Sequence, residues 1–389
     1  MGALPPGDPF ADIRPYRDDE VPGVIDSLVR DPEFADVLLG MRLPTLARFA
    51  PGLGRLLVRW LLRRRFRGIR TVADFQEQVG QQLRPHMQRV ATRLTVSGLD
   101  RLARDRGYLF IGNHRDIAMD PALVNLMLHD HGYGTVRIAI GDNLLSKPFA
   151  SDLMRINKSF IVKRGLSGRR EKLAAFQQLS AYIRHSVVEE HSSVWIAQRE
   201  GRAKDGIDLT DTAILKMLAL SHRGSRDFRA ALIALNPVPV AISYEFDPCD
   251  RDKARELHAL RTQGTYQKAE HEDLQSIYRG IMGEKGRVHV AFGAPLAGDD
   301  LASDQVMAAA IDAVILREYQ LCATHFLAHE LLYGPDPRAQ ALRATLADGG
   351  WAASEQQFRD RLAEVPEAER DLFLAMYANP LRRRLELEA

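Results

Sequence analysis

The sequence predicts an α/β fold in which a mixed, mostly parallel sheet is flanked by helices and extended by helical regions at both ends. Short apolar runs alternate with helical stretches between about residues 91 and 298. Such alternation is typical of a sheet that helices cover on both faces. Residues 1–90 and 299–389 carry helical patterns. We therefore expect an N-terminal helical region over 1–90, an α/β domain over 91–298 and a C-terminal helical region over 299–389.

In the central domain, short apolar runs bounded by turn residues predict strands. The predicted strands are Arg93–Val96, Tyr108–Gly112, Val136–Ile140, Phe160–Val162, Ser193–Ala197, Val238–Tyr244 and Arg287–Phe292. Longer stretches between them predict helices at about 120–130, 148–156, 169–187 and 210–222.

Composition limits the classes of function. The 389 residues include 53 Lys and Arg against 51 Asp and Glu, a balance that argues against a dedicated nucleic-acid-binding protein. The sequence has only two cysteines, Cys249 and Cys322, which argues against a disulfide framework and favours a reducing interior. The N-terminus lacks a signal-peptide pattern, and no apolar run of about 18 residues predicts a transmembrane helix. We expect a cytoplasmic protein.

The segment Gly112–Pro121 joins a predicted strand to a predicted helix. His114 lies at the turn, and Asp116 and Asp120 follow within six residues. A carboxylate can fix the tautomer of an imidazole, which can then take a proton from a hydroxyl group. Because Asp followed by Pro typically starts a helix, we expect Asp120 to cap this one. A capping Asp and a turn His without chemistry would leave the same pattern.

In two further segments, basic residues follow a predicted apolar strand. Lys163 and Arg164 follow the strand Phe160–Val162 and precede a glycine. The loop after the strand Ser193–Ala197 contains Glu200, Gly201, Arg202 and Lys204. Cations at strand ends can hold a phosphate, and glycine allows the backbone to approach a ligand closely. Taken singly, each segment would also suit a solvated surface loop.

The fourth segment, Asn236–Glu245, has the pattern of a buried strand. In this order, the four segments resemble the four motif blocks of the glycerol-3-phosphate and lysophosphatidate acyltransferase family. Residues 138–144, Ile-Ala-Ile-Gly-Asp-Asn-Leu, further resemble its glycerol-3-phosphate branch. The likeness covers residues 91–298, about half of the chain.

This resemblance implies an enzyme of phospholipid biosynthesis that transfers a fatty acyl group from a thioester to a hydroxyl of glycerol 3-phosphate. The donor would be acyl-CoA or acyl carrier protein, and no other cofactor is implied. His114 would be the general base and Asp120 its orienting acid. The implied acceptor site comprises Arg164 and Arg202 on the phosphate, with Lys163, Lys204, Glu200 and Gly201 around them. A lysophosphatidate or other lipid-head acceptor, or a non-catalytic lipid-binding relative, are the alternatives.

Two features depart from that family pattern. Five residues separate His114 from Asp120 where the family usually has four, so Asp116 is the rival partner of the imidazole. In addition, Arg202 follows Gly201 directly, whereas the family's third block has one residue between them. Outside the four blocks, His325 and His329 lie one helical turn apart near Cys322. This spacing suits zinc, but the family implies no metal and we expect none.

The stretch Pro51–Arg70 contains seven arginines and no acid. Arg55, Arg59, Arg63 and Arg67 recur every four residues, which predicts a stripe along a helix, with Leu53, Leu57, Trp60 and Leu61 roughly opposite. A basic amphipathic helix of this kind can dock on an anionic membrane surface without spanning it. Alternatively, its apolar side packs on the α/β domain.

Overall fold

The computed structural model describes residues 7–145, 147–221, 227–269, 272–346 and 350–388. Within these ranges lie seven strands: β1 Ala91–Ser97, β2 Leu109–Gly112, β3 Arg137–Gly141, β4 Ser159–Val162, β5 Val194–Ala197, β6 Pro237–Tyr244 and β7 Gly286–Phe292.

Helices occupy most of the remaining described chain. They are α1 Val21–Arg30, α2 Pro32–Arg42, α3 Pro44–Phe49, α4 Pro51–Arg65, α5 Val72–Val90, α6 Met119–Asp130, α7 Pro148–Ile156, α8 Arg169–Arg184, α9 Thr212–Leu218, α10 Phe228–Ile233, α11 Asp250–Gln263, α12 Glu272–Met282, α13 Asp304–Glu318, α14 Ala323–Tyr333, α15 Pro337–Thr345, α16 Trp351–Ala363 and α17 Arg370–Leu387.

All seven predicted strands are present, each with its ends within two residues of the predicted ones. The four predicted helices of the central domain correspond to α6, α7, α8 and α9. The α8 helix passes into one π-helical turn at His185–Glu189. Residue 222, where the last predicted helix ends, lies outside the described residues.

The chain forms two compact units. The smaller comprises Met1–Leu83 and Arg137–Tyr182, and the larger comprises Arg84–Val136 and Ile183–Ala389. In the smaller unit, β3 and β4 pair in parallel. Its main apolar core joins the helices of the N-terminal region to α7, through residues that include Leu28, Leu39 and Ile156.

The larger unit contains five strands in the order β1-β7-β6-β2-β5. Neighbouring strands run parallel, except that β6 and β7 are antiparallel. Every residue of β2 and of β6 is buried, as expected for the central strands of a sheet with both faces covered. The predicted mixed, mostly parallel sheet flanked by helices is therefore confirmed.

The C-terminal region is helical and belongs to the larger unit. Helix α17 packs against α14, α11 and α13, and its buried side chains include Phe373, Tyr377 and Leu381. In the described part of the chain, no helix combines the length and the apolar character needed to cross a bilayer.

Candidate active site

The candidate site of the larger unit lies where the parallel strands β2 and β5 end, beside β6. Gly112 of β2 is in register with Ala197 of β5 and with Val240 of β6. Because parallel strands finish at the same edge of a sheet, the segments that follow them meet there, and such edges commonly bind ligands. His114 follows β2, and the loop with Arg202 follows β5.

Backbone and amide bonds fix the turn that carries the histidine. The buried side chain of Asn113 accepts a hydrogen bond from the Ile242 amide at 2.7 Å and donates one to the Ile242 carbonyl at 3.0 Å. A side chain at Gly112 would place its Cβ 2.9 Å from Trp195 Nε1, so only glycine fits there. The contacts of Gly112 and Asn113 therefore fix the position of His114 at the end of β2.

His114 and Asp120 form a hydrogen-bonded pair. His114 Nδ1 lies 2.9 Å from Asp120 Oδ2. Because a carboxylate oxygen accepts, Nδ1 carries the proton and Nε2 is left with its lone pair. The His114 side chain is 15% exposed and Asp120 is fully buried. The ring of Trp195 stands edge-on to the imidazole, with 5.7 Å between the ring centroids. This pair has the arrangement of a general base with an orienting acid.

The rival acid has a different contact. Asp116 Oδ1 accepts hydrogen bonds from the amides of Ala118 and Met119, at 3.0 and 2.8 Å. It therefore caps the start of α6, which begins at Met119. The expectation that Asp120 caps this helix was wrong, because the long turn brings Asp116 to the free amides and leaves Asp120 inside the first turn. Burial, together with the nearby Asp120, raises the pKa of Asp116.

Asp120 accepts from three donors besides the imidazole. The amides of Arg115 and Asp116 reach Oδ2 at 2.6 and 2.9 Å. The hydroxyl of Tyr244, at the end of β6, reaches Oδ1 at 2.7 Å. Burial and the adjacent carboxylate raise the pKa of Tyr244 well above its ordinary value, so this hydroxyl stays a donor. Tyr244 belongs to the fourth motif-like segment, Asn236–Glu245, but neither the strand pattern nor the resemblance predicted its bond to Asp120.

A buried ionic network lies behind the pair. Arg115 Nε donates to Asp208 Oδ2 at 3.0 Å. The Lys253 ammonium donates to the Arg115 carbonyl at 2.7 Å and to Asp247 at 2.5 Å. Burial alone would raise the pKa of Asp247, but the charges of Lys253 and Arg115 lower it below its ordinary range. These bonds fix the backbone at Arg115, the residue after His114. They join distant segments and were not predicted from the sequence.

The loop after β5 lies against the histidine turn. The Ala203 amide donates to the His114 carbonyl at 2.9 Å. Gly201 has φ of +76°, a left-handed conformation that favours glycine. Nη1 of the neighbouring Arg202 is buried without a hydrogen-bond partner among the described residues. Lys204 forms an ion pair with Glu256, and Glu200 is exposed. Of the predicted acceptor residues in this unit, Arg202 is thus the cation best suited to meet an anion.

The other predicted acceptor residues belong to the smaller unit. Lys163 forms an ion pair with Asp12. The Arg164 amide donates to Asp142 Oδ2 at 3.1 Å, and the side chain of Arg164 packs against Gly141. Asp142 belongs to the segment that resembles the glycerol-3-phosphate branch. Its carboxylate thereby shapes the turn that presents Arg164.

The His325 and His329 pair has the contacts of packed helix residues. His325 Nδ1 accepts from the Cys322 amide at 2.9 Å, and the His325 ring packs edge-on against Tyr319. Among the described residues, no group of three or more potential metal ligands comes together.

Known proteins that resemble this chain include members of one protein family and a solved structure. Residues 93–232 match the family described as Acyltransferase. No curated protein matches the sequence. Among solved structures, the 1-acyl-sn-glycerophosphate (LPA) acyltransferase PlsC from Thermotoga maritima aligns over 82% of this chain and 100% of its own, at 13% identity and a TM-score of 0.39. We draw no conclusion from a TM-score this low.

The family match includes His114, Asp116, Asp120 and the loop with Arg202, and it ends before β6. It supports acyltransferase chemistry for this part of the chain. Tyr244, Lys253 and the C-terminal helices lie outside it.

Proposed function

We propose that this protein transfers a fatty acyl group from a thioester to a hydroxyl of glycerol 3-phosphate. The observation that carries the proposal is the His114–Asp120 pair at a parallel strand end, within the segment that matches the Acyltransferase family. The thioester would be acyl-CoA or acyl carrier protein. A lysophosphatidate acceptor is the second candidate, favoured by the same pair and distinguished only by assay.

The geometry of the pair gives each atom a role. With its proton held on Nδ1 by Asp120, His114 presents Nε2 to the acceptor hydroxyl. The hydroxyl oxygen attacks the thioester carbonyl carbon as its proton passes to Nε2. The tetrahedral intermediate then collapses, the C–S bond breaks, and the imidazolium returns the proton to the leaving thiolate. The acceptor attacks directly, so no acyl-enzyme forms.

Arg202 supplies the positive charge for the acceptor phosphate in this proposal. A buried guanidinium nitrogen without a partner costs free energy unless a ligand satisfies it. Phosphate and carboxylate oxygens are the ligands that arginine binds best. Arg164 is proposed as a second phosphate ligand, on the resemblance of its segment to the family's second block.

The test is an acyltransferase assay on the full chain, with glycerol 3-phosphate, lysophosphatidate and glycerol as acceptors and with acyl-CoA and acyl carrier protein as donors. We expect turnover with glycerol 3-phosphate and none with glycerol. His114→Ala should lower kcat by roughly 10²–10⁴-fold, the usual worth of a general base, with an unchanged circular dichroism spectrum. Activity of folded His114→Ala within a few fold of the wild type would exclude the mechanism. Turnover of lysophosphatidate but not of glycerol 3-phosphate would show that lysophosphatidate is the acceptor.

We also propose that α4 docks the protein on an anionic membrane surface. The residues expected opposite the arginines do not pack inward: Leu53 is 64% exposed and Trp60 54% exposed. The helix is instead anchored by Gly54, Val58 and Leu62, and a Cβ at Gly54 would lie 2.6 Å from a Leu39 methyl. The exposure of Leu53 and Trp60 therefore supports the docking proposal over the alternative in which this apolar side is packed.

The exposed side chains form what we call the apolar patch: Phe49, Leu53, Leu56, Leu57, Trp60 and Leu61. Exposed patches of this kind mark binding surfaces. The arginines of the helix are only partly neutralised. Arg55 pairs with Asp36 at 2.5 Å and Arg59 donates to the Arg30 carbonyl, whereas Arg63 is exposed. Because α4 ends at Arg65, the predicted helical stripe comprises Arg55, Arg59 and Arg63, and Arg67 is exposed in the turn that follows. Aromatic and leucine side chains beside such cations fit a bilayer of anionic lipid.

Vesicle co-sedimentation tests this docking. The wild type should bind vesicles of phosphatidylglycerol and phosphatidylcholine, and the bound fraction should fall as salt rises. Each exposed arginine is worth about 1 kcal/mol toward an anionic leaflet. A variant with Arg63, Arg64, Arg65 and Arg67 changed to Gln should therefore bind much less, as should Trp60→Ser with Leu61→Ser. Leu173→Ser with Phe176→Ser, exposed apolar residues of α8, is the control and should bind normally. Equal binding by all four proteins would exclude α4 as the docking element.

A further inference from the structure

The loop that carries Arg202 has almost no regular structure of its own. Residues 199–211, which we call the acceptor loop, contain no helix or strand. The Asp211 amide donates to the Gln198 carbonyl at 2.9 Å and closes the loop. An irregular segment takes its geometry from the bonds that satisfy its backbone groups.

Helix α17 contacts the acceptor loop at three successive points. Asn379 Nδ2 donates to the Asp205 carbonyl at 2.7 Å. Arg383 Nη1 donates to the Asp208 carbonyl at 2.6 Å. Between them, a Cβ at Gly206 would lie 2.3 Å from the Met376 carbonyl, so the two backbones are in direct contact. One face of α17 thus follows the second half of the loop.

The residues that make these contacts are themselves fixed. Asn379 is 5% exposed, and its Oδ1 accepts from the Tyr333 hydroxyl of α14 at 3.1 Å. Asp208 is bonded through its carbonyl to Arg383 and through its carboxylate to Arg115, the residue after His114. The loop is therefore held by the histidine turn, by α17 and by α13, whose Asp312 carboxylate accepts from the amide and the hydroxyl of Thr210 at 2.9 and 2.6 Å.

We propose that Asn379 and Arg383 are positioning residues, which aim Arg202 at the acceptor by fixing the carbonyls of Asp205 and Asp208. This inference rests on the proposed function, because it assigns the acceptor to this loop. It gives the C-terminal region, which lies outside the matched family segment, a role in acceptor binding. A positioning error of about 1 Å can weaken a site strongly even when no ligand contact is removed.

The chain offers a matched pair of variants on adjacent residues. Arg383 and Arg384 both belong to α17, and each donates from Nη1 to a backbone carbonyl, at 2.6 and 2.8 Å. Arg383 bonds Asp208 of the acceptor loop, whereas Arg384 bonds Leu316 of α13. Comparing Arg383→Gln with Arg384→Gln separates the effect on the loop from the general cost of losing such a bond.

The experiment combines hydrogen exchange with kinetics. In Arg383→Gln and Asn379→Ala, amides of residues 199–211 should exchange about tenfold faster, and those of β2 should be unchanged. The acceptor KM should rise by about fivefold or more, as expected for a lost hydrogen bond of ordinary strength. The donor KM and kcat should stay within about twofold, and Arg384→Gln should resemble the wild type in every measurement.

Loop exchange unchanged in both variants, or an equal effect of Arg384→Gln, would overturn the proposal. So would a loss of kcat with an unchanged acceptor KM, which would indicate damage to the histidine turn through Asp208 and Arg115. If the wild type transferred no acyl group, the proposed function would fail, whereas hydrogen exchange would still show whether α17 holds the loop.

Discussion

At the scale of single residues, the acid beside His114 is distinguished by its hydrogen bonds. Asp120 accepts from the imidazole, from two backbone amides and from the Tyr244 hydroxyl. These donors match the acceptor capacity of one carboxylate, so its orientation is fixed. Asp116 uses Oδ1 on the amides that open α6. Two acids of the same type, four residues apart, therefore have separate functions.

We predict that Tyr244→Phe lowers kcat by about tenfold or more while the protein stays folded. Removing the hydroxyl leaves Asp120 Oδ1 buried without its donor, which costs about 1–3 kcal/mol and frees the carboxylate to rotate away from His114. The measurement is the pH profile of kcat, which should shift if the carboxylate no longer orients the imidazole. Tyr319→Phe, another buried tyrosine of this unit, is the control. A kcat and pH profile equal to those of the wild type would show that Tyr244 only packs.

The part of this site formed by residues close together in the sequence could be predicted. His114 and Asp120 are six residues apart, so their proximity follows from a single turn and could be predicted. Tyr244 is 124 residues from Asp120, and Asp208 is 93 residues from Arg115. Their contacts depend on which strands are neighbours and in what register. A strand pattern alone does not determine either property.

At the scale of elements, strands were predicted well because each is a short apolar run between turn residues. The face that α4 buries was not. Its arginine spacing predicted a helical stripe that included Arg67, which lies beyond the end of α4 at Arg65. Burial is decided by Gly54, where the missing side chain lets α4 approach Leu39 of α2. Helix periodicity shows which residues share one side of the helix, whereas the packing partner decides which side is buried.

We expect the positive charge of Arg202 in the acceptor loop to contribute most to binding of the acceptor. Arg202→Ala should raise the acceptor KM by about tenfold or more, because a charge-assisted bond to phosphate is stronger than a neutral one, and it should leave the donor KM unchanged. Arg164→Ala in the smaller unit should act in the same direction. Steady-state kinetics with each substrate varied in turn tests both. Lys204→Ala is the matched control, since its ammonium is already paired with Glu256.

An unchanged acceptor KM in both Arg202→Ala and Arg164→Ala would remove the phosphate assignment from these residues. A larger effect on the donor than on the acceptor would instead place the donor's phosphates there. Either result would leave the role of His114 intact, since that role depends on the proton and not on the phosphate.

At the scale of the whole molecule, the larger unit buries many ionisable groups. Burial raises the pKa of Asp116 and of Asp250. Burial and the nearby Arg115 charge lower the pKa of His325 to about 3. The burial of these groups could not be predicted from the sequence, because it depends on packing between segments that are far apart along the chain. These groups make the free energy of unfolding depend on pH.

The sign for His325 follows from its lowered pKa. An unfolded histidine has a pKa of about 6.5, so between pH 6.5 and pH 3 the unfolded chain binds a proton that the folded protein excludes. This group therefore contributes stability that is fully present above pH 6.5 and is lost as the pH falls toward 3. The change is at most about 1.4 kcal/mol per pH unit. Asp116 and Asp250, with raised pKa values, act in the opposite direction, so a difference between two proteins isolates the histidine.

We predict that His325→Asn is less stable than the wild type at pH 7.5 and that the difference shrinks as the pH falls to 4.5. Asparagine keeps an acceptor for the Cys322 amide, which His325 Nδ1 accepts at 2.9 Å, but it loses the ring that packs against Tyr319 and carries no titratable group. Denaturant unfolding at four pH values between 4.5 and 7.5 measures the difference. His191→Asn, at an exposed position, should run parallel to the wild type. A difference between His325→Asn and the wild type that stays constant over this range would mean that His325 keeps its ordinary affinity for protons in the folded protein.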